Sequence, residues 1–128
     1  MKSILFVCVE NSCRSQMAEG FARQMGGSSF NVFSAGSRPS GVVDPRAIKA
    51  MAEVGIDIAS ARSKGFDDLA AKAFDYAVTL GCKDTCPFVP AERHIRWQIE
   101  DPKSKDLAFF RKVRDSVRSK VEELISTI

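Results

Sequence analysis

Residues 4–15 read Ile4-Leu5-Phe6-Val7-Cys8-Val9-Glu10-Asn11-Ser12-Cys13-Arg14-Ser15, and this stretch decides the fold. Ile4 to Val9 is a continuous apolar run without polar alternation, the pattern of a strand buried on both faces. Behind it, Met17, Ala18, Phe21, Ala22 and Met25 recur at helical spacing, and Gly26-Gly27 ends that helix. A strand that passes through a short loop into a helix turns several unpaired backbone N–H groups toward one point, where the helix dipole adds partial positive charge. Such a loop is an anion cradle. Arg14 contributes a planar fork able to hold two oxygens of a tetrahedral oxyanion, and Asn11 and Ser15 are short enough to brace the loop and hydrogen-bond the sulfur at position 8. The expected oxyanion-binding set is therefore Glu10, Asn11, Ser12, Cys13, Arg14 and Ser15. The same positive environment favours thiolate at Cys8, placed for in-line attack on the central atom of a bound oxyanion. The competing reading is a small buried cysteine that merely closes an apolar strand. Arg14 and the helix behind it weigh against that.

Outward from this unit, strand-like and helical patterns alternate to the end of the chain. Phe30 to Ala35 reads as a second strand, Tyr76 to Leu80 as a third, and Ile95, Trp97 and Ile99 alternate as a fourth. Between them, Asp44 is an N-cap candidate with Pro45 at the first helical position, followed by the stripe Ala47, Ile48, Met51 and Ala52 up to Gly55. A short helical piece is expected over 66–73, a loop over 81–93, and a last helix from near Ser104 with the stripe Leu107, Phe110, Val113, Val117, Val121, Leu124 and Ile128. The order implies an α/β fold, a small four-stranded parallel sheet flanked by helices on both faces. Ligands of such sheets sit outside the carboxyl ends of the strands, which directs attention back to Cys8.

Composition bounds the rest. The chain has 128 residues, 45% of them apolar and 27% charged, which fits one globular domain over 1–128 that folds without disulfides or metal. The net charge of +3 is spread along the chain, and the densest basic stretch, Arg111 to Lys120, reads as a solvated helix face, so nucleic-acid binding is not expected. No apolar stretch approaches the ~20 residues of a membrane span. The run after Met1-Lys2-Ser3 is too short for a secretory signal and ends at Glu10-Asn11, so a cytoplasmic location is expected.

In that compartment the four cysteines are expected to be catalytic, redox-active or metal-binding rather than structural bridges. A zinc site could draw on them and on His94. Yet Cys8 and Cys13, like Cys82 and Cys86, lack the two-residue spacing of a zinc knuckle, so no metal is assigned. His94 is expected at the surface beside the fourth strand.

The loop CVENSCRS with QMAEGF behind it resembles the low-molecular-weight tyrosine phosphatase family, and especially its arsenate reductase branch. The similarity extends through SAGSRPSGVVDPRAIKAMAEVGID and WQIEDP. Both branches would use Cys8 and Arg14, so the decision falls on Cys82 and Cys86. Hydrolysis of a phosphoester needs one thiolate, whereas reducing arsenate to arsenite takes two electrons that thiols must supply. TLGCKDTCP resembles the redox loop of three-cysteine arsenate reductases, and the phosphatases' aspartate-proline-tyrosine element stands here as Asp101-Pro102-Lys103.

The resemblance implies Cys8 as nucleophile, Arg14 as oxyanion binder, Asp101 as general acid, and disulfide transfer from Cys8 to Cys82 and on to Cys86. Cys13 is read as loop support. No bound cofactor is implied; an external thiol reductant, thioredoxin, would restore the cysteines, although glutaredoxin with glutathione serves other family members. Expected partners are arsenate, with phosphate or sulfate as analogues, and a thioredoxin-like protein, and the chain is taken as a monomer. Two readings stay beside this one: a phosphatase acting on aryl phosphates through a phosphocysteine, and a non-enzymatic redox or metal sensor. Asp101 could also simply open a turn.

Overall fold

The computed structural model describes residues 1–81 and 89–128. Four strands, β1 (Lys2–Cys8), β2 (Phe30–Gly36), β3 (Phe74–Leu80) and β4 (Ala91–Trp97), form one sheet in the order β2-β1-β3-β4. All three pairings are parallel, with Cys8 opposite Gly36, Val7 opposite Thr79 and Leu80 opposite Trp97. Among the described residues three α-helices accompany it: α1 (Arg14–Gly26), α2 (Pro45–Ala52) and α3 (Leu107–Thr127).

β1 lacks alternation because it is central. Ile4, Phe6 and Cys8 face the core under the helices, while Leu5 and Val7 face a second core with Ala35, Leu69, Phe74 and Val89. Helical structure covers both faces unequally. Among the described residues, the three α-helices cover the first, and a single 3-10 turn, Phe66–Asp68, with the chain around it, covers the second. The helical piece expected over 66–73 is thus shorter than its pattern implied, since Leu69 leaves the turn in an extended conformation to reach the sheet.

α2 starts as its sequence specifies: the Asp44 side chain accepts from Arg46 N–H at 2.9 Å and Pro45 takes the first turn. Phe110, Val113, Val117, Val121 and Leu124 give α3 its buried stripe against α1 and α2. This helix begins at Leu107 rather than near Ser104, because Asp106 is the cap, accepting from Phe109 N–H at 3.0 Å, and Pro102 to Lys105 form a separate turn. Arg111, Lys112, Arg118 and Lys120 of α3 are exposed, as expected, whereas Arg114 is mostly covered; Arg111 and Arg114 both pair with Glu53 of the turn after α2. β4 lies earlier than its alternation suggested, pairing from Ala91 and ending at Trp97, so Ile99 falls beyond the strand. Among the described residues, no helix is long and apolar enough to cross a membrane.

Chain order makes β1 the switch point. The chain leaves β1 to β2 on one side and returns past it to β3 on the other, so the loop after Cys8 opens where the connections diverge.

Candidate active site

The loop between β1 and α1 is shaped by where its carbonyls go. Cys8 O accepts from Ser37 N at 3.3 Å, Val9 O from Arg38 N at 2.7 Å, Ser12 O from Asp44 N at 3.0 Å and Cys13 O from Met17 N at 3.0 Å. Glu10 O accepts from Ser63 Oγ at 2.7 Å, and Asn11 O from Gln16 Nε2 at 3.2 Å. In a trans peptide the N–H points opposite to the carbonyl. Turning the carbonyls outward into the fold therefore turns the amides inward, and among the described residues those of Glu10 to Gln16 donate to no protein acceptor. Nothing neutralises the helix end either: Cys13 supplies no side-chain cap and the first turn of α1 holds no acidic residue. A row of such amides is an anion-binding concavity.

Asn11 holds the tightest bend, with φ of 53°. Asparagine tolerates this left-handed conformation better than most residues, and here it is fully buried and bonded on every side. Its Oδ1 accepts from Gln16 Nε2 at 2.9 Å and from Lys64 N–H at 2.9 Å, while its Nδ2 donates to Ser15 Oγ at 2.7 Å. Ser15 Oγ in turn lies 2.8 Å from Cys8 Sγ. Because the hydroxyl accepts from Asn11, its own proton remains available to the sulfur. Gly36 of β2 allows the loop this position: a Cβ there would lie 2.6 Å from Val9 O and 2.8 Å from Asn11 N.

Arg14 is 5% exposed yet charged, and two groups fix its fork. Nη1 donates to Ile99 O at 3.1 Å, and Nη2 lies 3.6 Å from Asp101 Oδ2. Gly81, with φ of +84°, completes the seat, since a Cβ there would meet Arg14 Nη1 at 2.3 Å. The close approach of Gly81 to a side chain 67 positions earlier has no local signal in the sequence.

Cys8, Val9, Glu10, Ser12, Cys13, Arg14, Asp101 and Lys103 line one pocket of about 110 Å³, the space of about four water molecules. Asp101 stands at its exposed rim, where its Oδ1 accepts from Lys103 N–H at 3.1 Å. Lys103 Nζ pairs with the Glu10 carboxylate across the mouth. Burial pushes the Cys13 thiol up to about 12, and its Sγ lies 3.9 Å from Asp44 Oδ2 as a weak donor. It therefore stays protonated at neutral pH.

Asp44 and Arg46 join the two sides of the pocket, a role their cap signature did not announce. Burial opposes ionisation of Asp44, but the bonds from Arg46 outweigh it and hold the carboxyl below its ordinary value. The same guanidinium donates to Lys103 O at 2.7 Å and stacks over Phe110 at 4.5 Å, so the start of α2 grips the turn that carries Asp101. Cys82 and Cys86 lie outside the described residues. His94 sits in exposed β4, its Nε2 2.7 Å from Val89 O and away from the pocket. Among the described residues, no three histidine, cysteine or acidic side chains cluster as metal ligands would.

A parallel α/β sheet with a cysteine at the foot of an amide-lined cradle, an arginine fork beside it and a carboxylate at the rim defines a class of thiol proteins that handle tetrahedral oxyanions. The chain belongs to the low molecular weight phosphotyrosine protein phosphatase family, whose model matches residues 3–128. It is 44% identical over 131 residues to the glutaredoxin arsenate reductase of Synechocystis sp., covering 100% of this chain and 99% of that protein. A solved arsenate reductase in the phosphate binding state superposes with a TM-score of 0.89 at 43% identity, covering 100% of this chain and 99% of the other. The thioredoxin-dependent arsenate reductase of Corynebacterium glutamicum matches with a TM-score of 0.82 at 30% identity, over 99% of this chain and 61% of that one.

Proposed function

We propose that this protein is an arsenate reductase, converting arsenate to arsenite with electrons from its own thiols and, through them, from an external thiol reductant. The observation that carries the reading is the juxtaposition of Gly81 and Arg14. Gly81 packs directly against the guanidinium of the oxyanion site, and Cys82 and Cys86 follow it in the sequence.

The steps follow from the chemistry of the groups. Arsenate binds in the amide cradle with two oxygens on Arg14, through the backbone of Glu10, Asn11, Ser12, Cys13, Arg14 and Ser15. The Cys8 thiolate, supported by Ser15, attacks arsenic, and Asp101 protonates the departing oxygen, which leaves as water. Cys82 thiolate then attacks the Cys8 sulfur. The new S–S bond forms as the S–As bond breaks, its electron pair passes to arsenic, and arsenate becomes arsenite. Cys86 thiolate attacks Cys82, releasing Cys8 as thiolate and leaving a Cys82–Cys86 disulfide. A dithiol protein of the thioredoxin class reduces that disulfide; the names of the similar proteins from C. glutamicum and Synechocystis sp. pair such reductases with thioredoxin and with glutaredoxin. Each thiol must return to its reduced form between turnovers, which fits a single-domain monomer working in the cytoplasm.

The test is arsenate-dependent NADPH oxidation with thioredoxin and thioredoxin reductase, run in parallel with glutaredoxin, glutathione and glutathione reductase. The wild type should turn over in the first system, and Cys82→Ser should abolish turnover while leaving arsenate binding intact. Failure of the wild type in both systems, or arsenate reduction that survives Cys82→Ser, would overturn the reading. Hydrolysis of an aryl phosphate as the sole activity would establish the phosphatase alternative.

A further inference from the structure

We infer that the Glu10–Lys103 ion pair is the selectivity filter of the oxyanion pocket, admitting small inorganic oxyanions and rejecting those that carry a bulky ester group. The inference rests on the pocket being the oxyanion site, as read above. Both side chains line the pocket that holds Cys8, and they meet across its mouth, joining the loop that carries the nucleophile to the turn that carries Asp101. They are 93 positions apart in the chain, so only the fold brings them together.

Charge and size both follow from this contact. A lone carboxylate at the lip of an anion site would repel every incoming substrate, and the backbone amide of Glu10 belongs to the cradle itself. Lys103 removes that repulsion, and pairing with Glu10 raises the affinity of its ammonium for the proton, so the neutralising charge stays in place at physiological pH. The paired side chains also bridge a pocket of only about 110 Å³. An inorganic oxyanion fits beneath them, whereas an aryl ester, whose ring must leave the pocket along the ester bond, has to break the pair and strand its carboxylate beside an anion. The backbone N–H of Lys103 donates to Asp101 Oδ1 at 3.1 Å, so the pair stands on the same turn as the acid.

Binding of inorganic phosphate and of phenyl phosphate, each followed by calorimetry and by protection of Cys8 from alkylation, tests this without turnover. Lys103→Met should weaken phosphate about tenfold, more at low ionic strength, because Glu10 is then unpaired. Glu10→Gln with Lys103→Met should return phosphate affinity to within about threefold of wild type, because the repulsive charge has gone. Glu10→Gly with Lys103→Ala should open the mouth and raise phenyl phosphate affinity relative to phosphate at least about tenfold. Unchanged phosphate affinity in Lys103→Met, or an unchanged ratio of the two ligands in the opened variant, overturns the filter. Both side chains are partly exposed, so these variants should fold, and a melting curve checks each. A wild type that binds phosphate but fails the coupled arsenate assay would defeat the reductase reading and leave the filter standing.

Discussion

Asn11 Nδ2 donates to Ser15 Oγ at 2.7 Å, and the same oxygen lies 2.8 Å from Cys8 Sγ, so one hydroxyl links the bend of the loop to the cysteine. With one lone pair engaged by Asn11, the hydroxyl keeps its proton available for a sulfur anion. Removing the hydroxyl by Ser15→Ala should slow alkylation of Cys8 by iodoacetamide at neutral pH about tenfold, since a hydrogen bond to a charged group contributes roughly 1.5–3 kcal/mol. Turnover should fall with it while phosphate affinity changes little. Equal alkylation rates in the two proteins would mean that the serine does not support the thiolate.

Asn11→Ala should fail for a different reason. It forces a left-handed φ on a residue that resists it and leaves Lys64 N–H and part of the Gln16 amide without their acceptor in a buried site. A stability loss of about 3 kcal/mol is expected by urea denaturation.

Gly81→Ala should displace the Arg14 fork. The added carbon meets Nη1 at 2.3 Å and Ile99 O at 2.8 Å, at a φ of +84° that L side chains rarely adopt. Phosphate affinity should drop at least about tenfold and stability by about 2 kcal/mol. If calorimetry finds phosphate binding intact, Arg14 has another seat.

Arg14→Lys keeps the charge and loses the geometry. A lysine cannot both reach Ile99 O and grip two ligand oxygens, so phosphate affinity should fall roughly 10- to 100-fold. Full binding by the lysine variant would reduce Arg14 to a point charge.

Cys13 predicts an alkaline limit. Burial holds its thiol protonated up to about 12 in the fold, against an ordinary value of 9.0. Between these values the unfolded chain has lost the proton and the folded one retains it, so the contribution is complete below pH 9.0 and is lost as pH rises toward 12. In Cys13→Ala the decline of the urea midpoint above about pH 9 should be shallower than in wild type. In the native protein at about pH 8, peptide mapping should find Cys13 unmodified by iodoacetamide.

What the sequence reveals here follows from how local the signal is. β1, the loop and α1 are contiguous, so an apolar run, Asn11, Arg14 and a helical stripe suffice to announce an anion cradle. The α2 cap is local too, and so are the stripes that bury α2 and α3. Hidden from the sequence are the contacts that position those groups: Gly36 beneath Val9 and Asn11, Gly81 and Ile99 around Arg14, Arg46 on Lys103, and Lys103 on Glu10. Each joins segments far apart in the chain, and glycine in a loop or strand says that something comes close without saying what. The apolar spacing over 66–73 suggests a longer helix than forms because Phe66, Leu69 and Phe74 serve the second core against the sheet rather than one helix face.

The outward-turned carbonyls of residues 8–13 have a thermodynamic consequence. They moor the cradle to 37–44 and to Ser63, so an oxyanion that draws the amides together also staples β2, α2 and β1 to one another. Ligand and fold then share a single free-energy account, in which an anion at a hundred times its dissociation constant adds about 2.7 kcal/mol to the stability of the whole domain. A cell rich in phosphate would therefore keep this enzyme folded with the same ion that competes for its pocket.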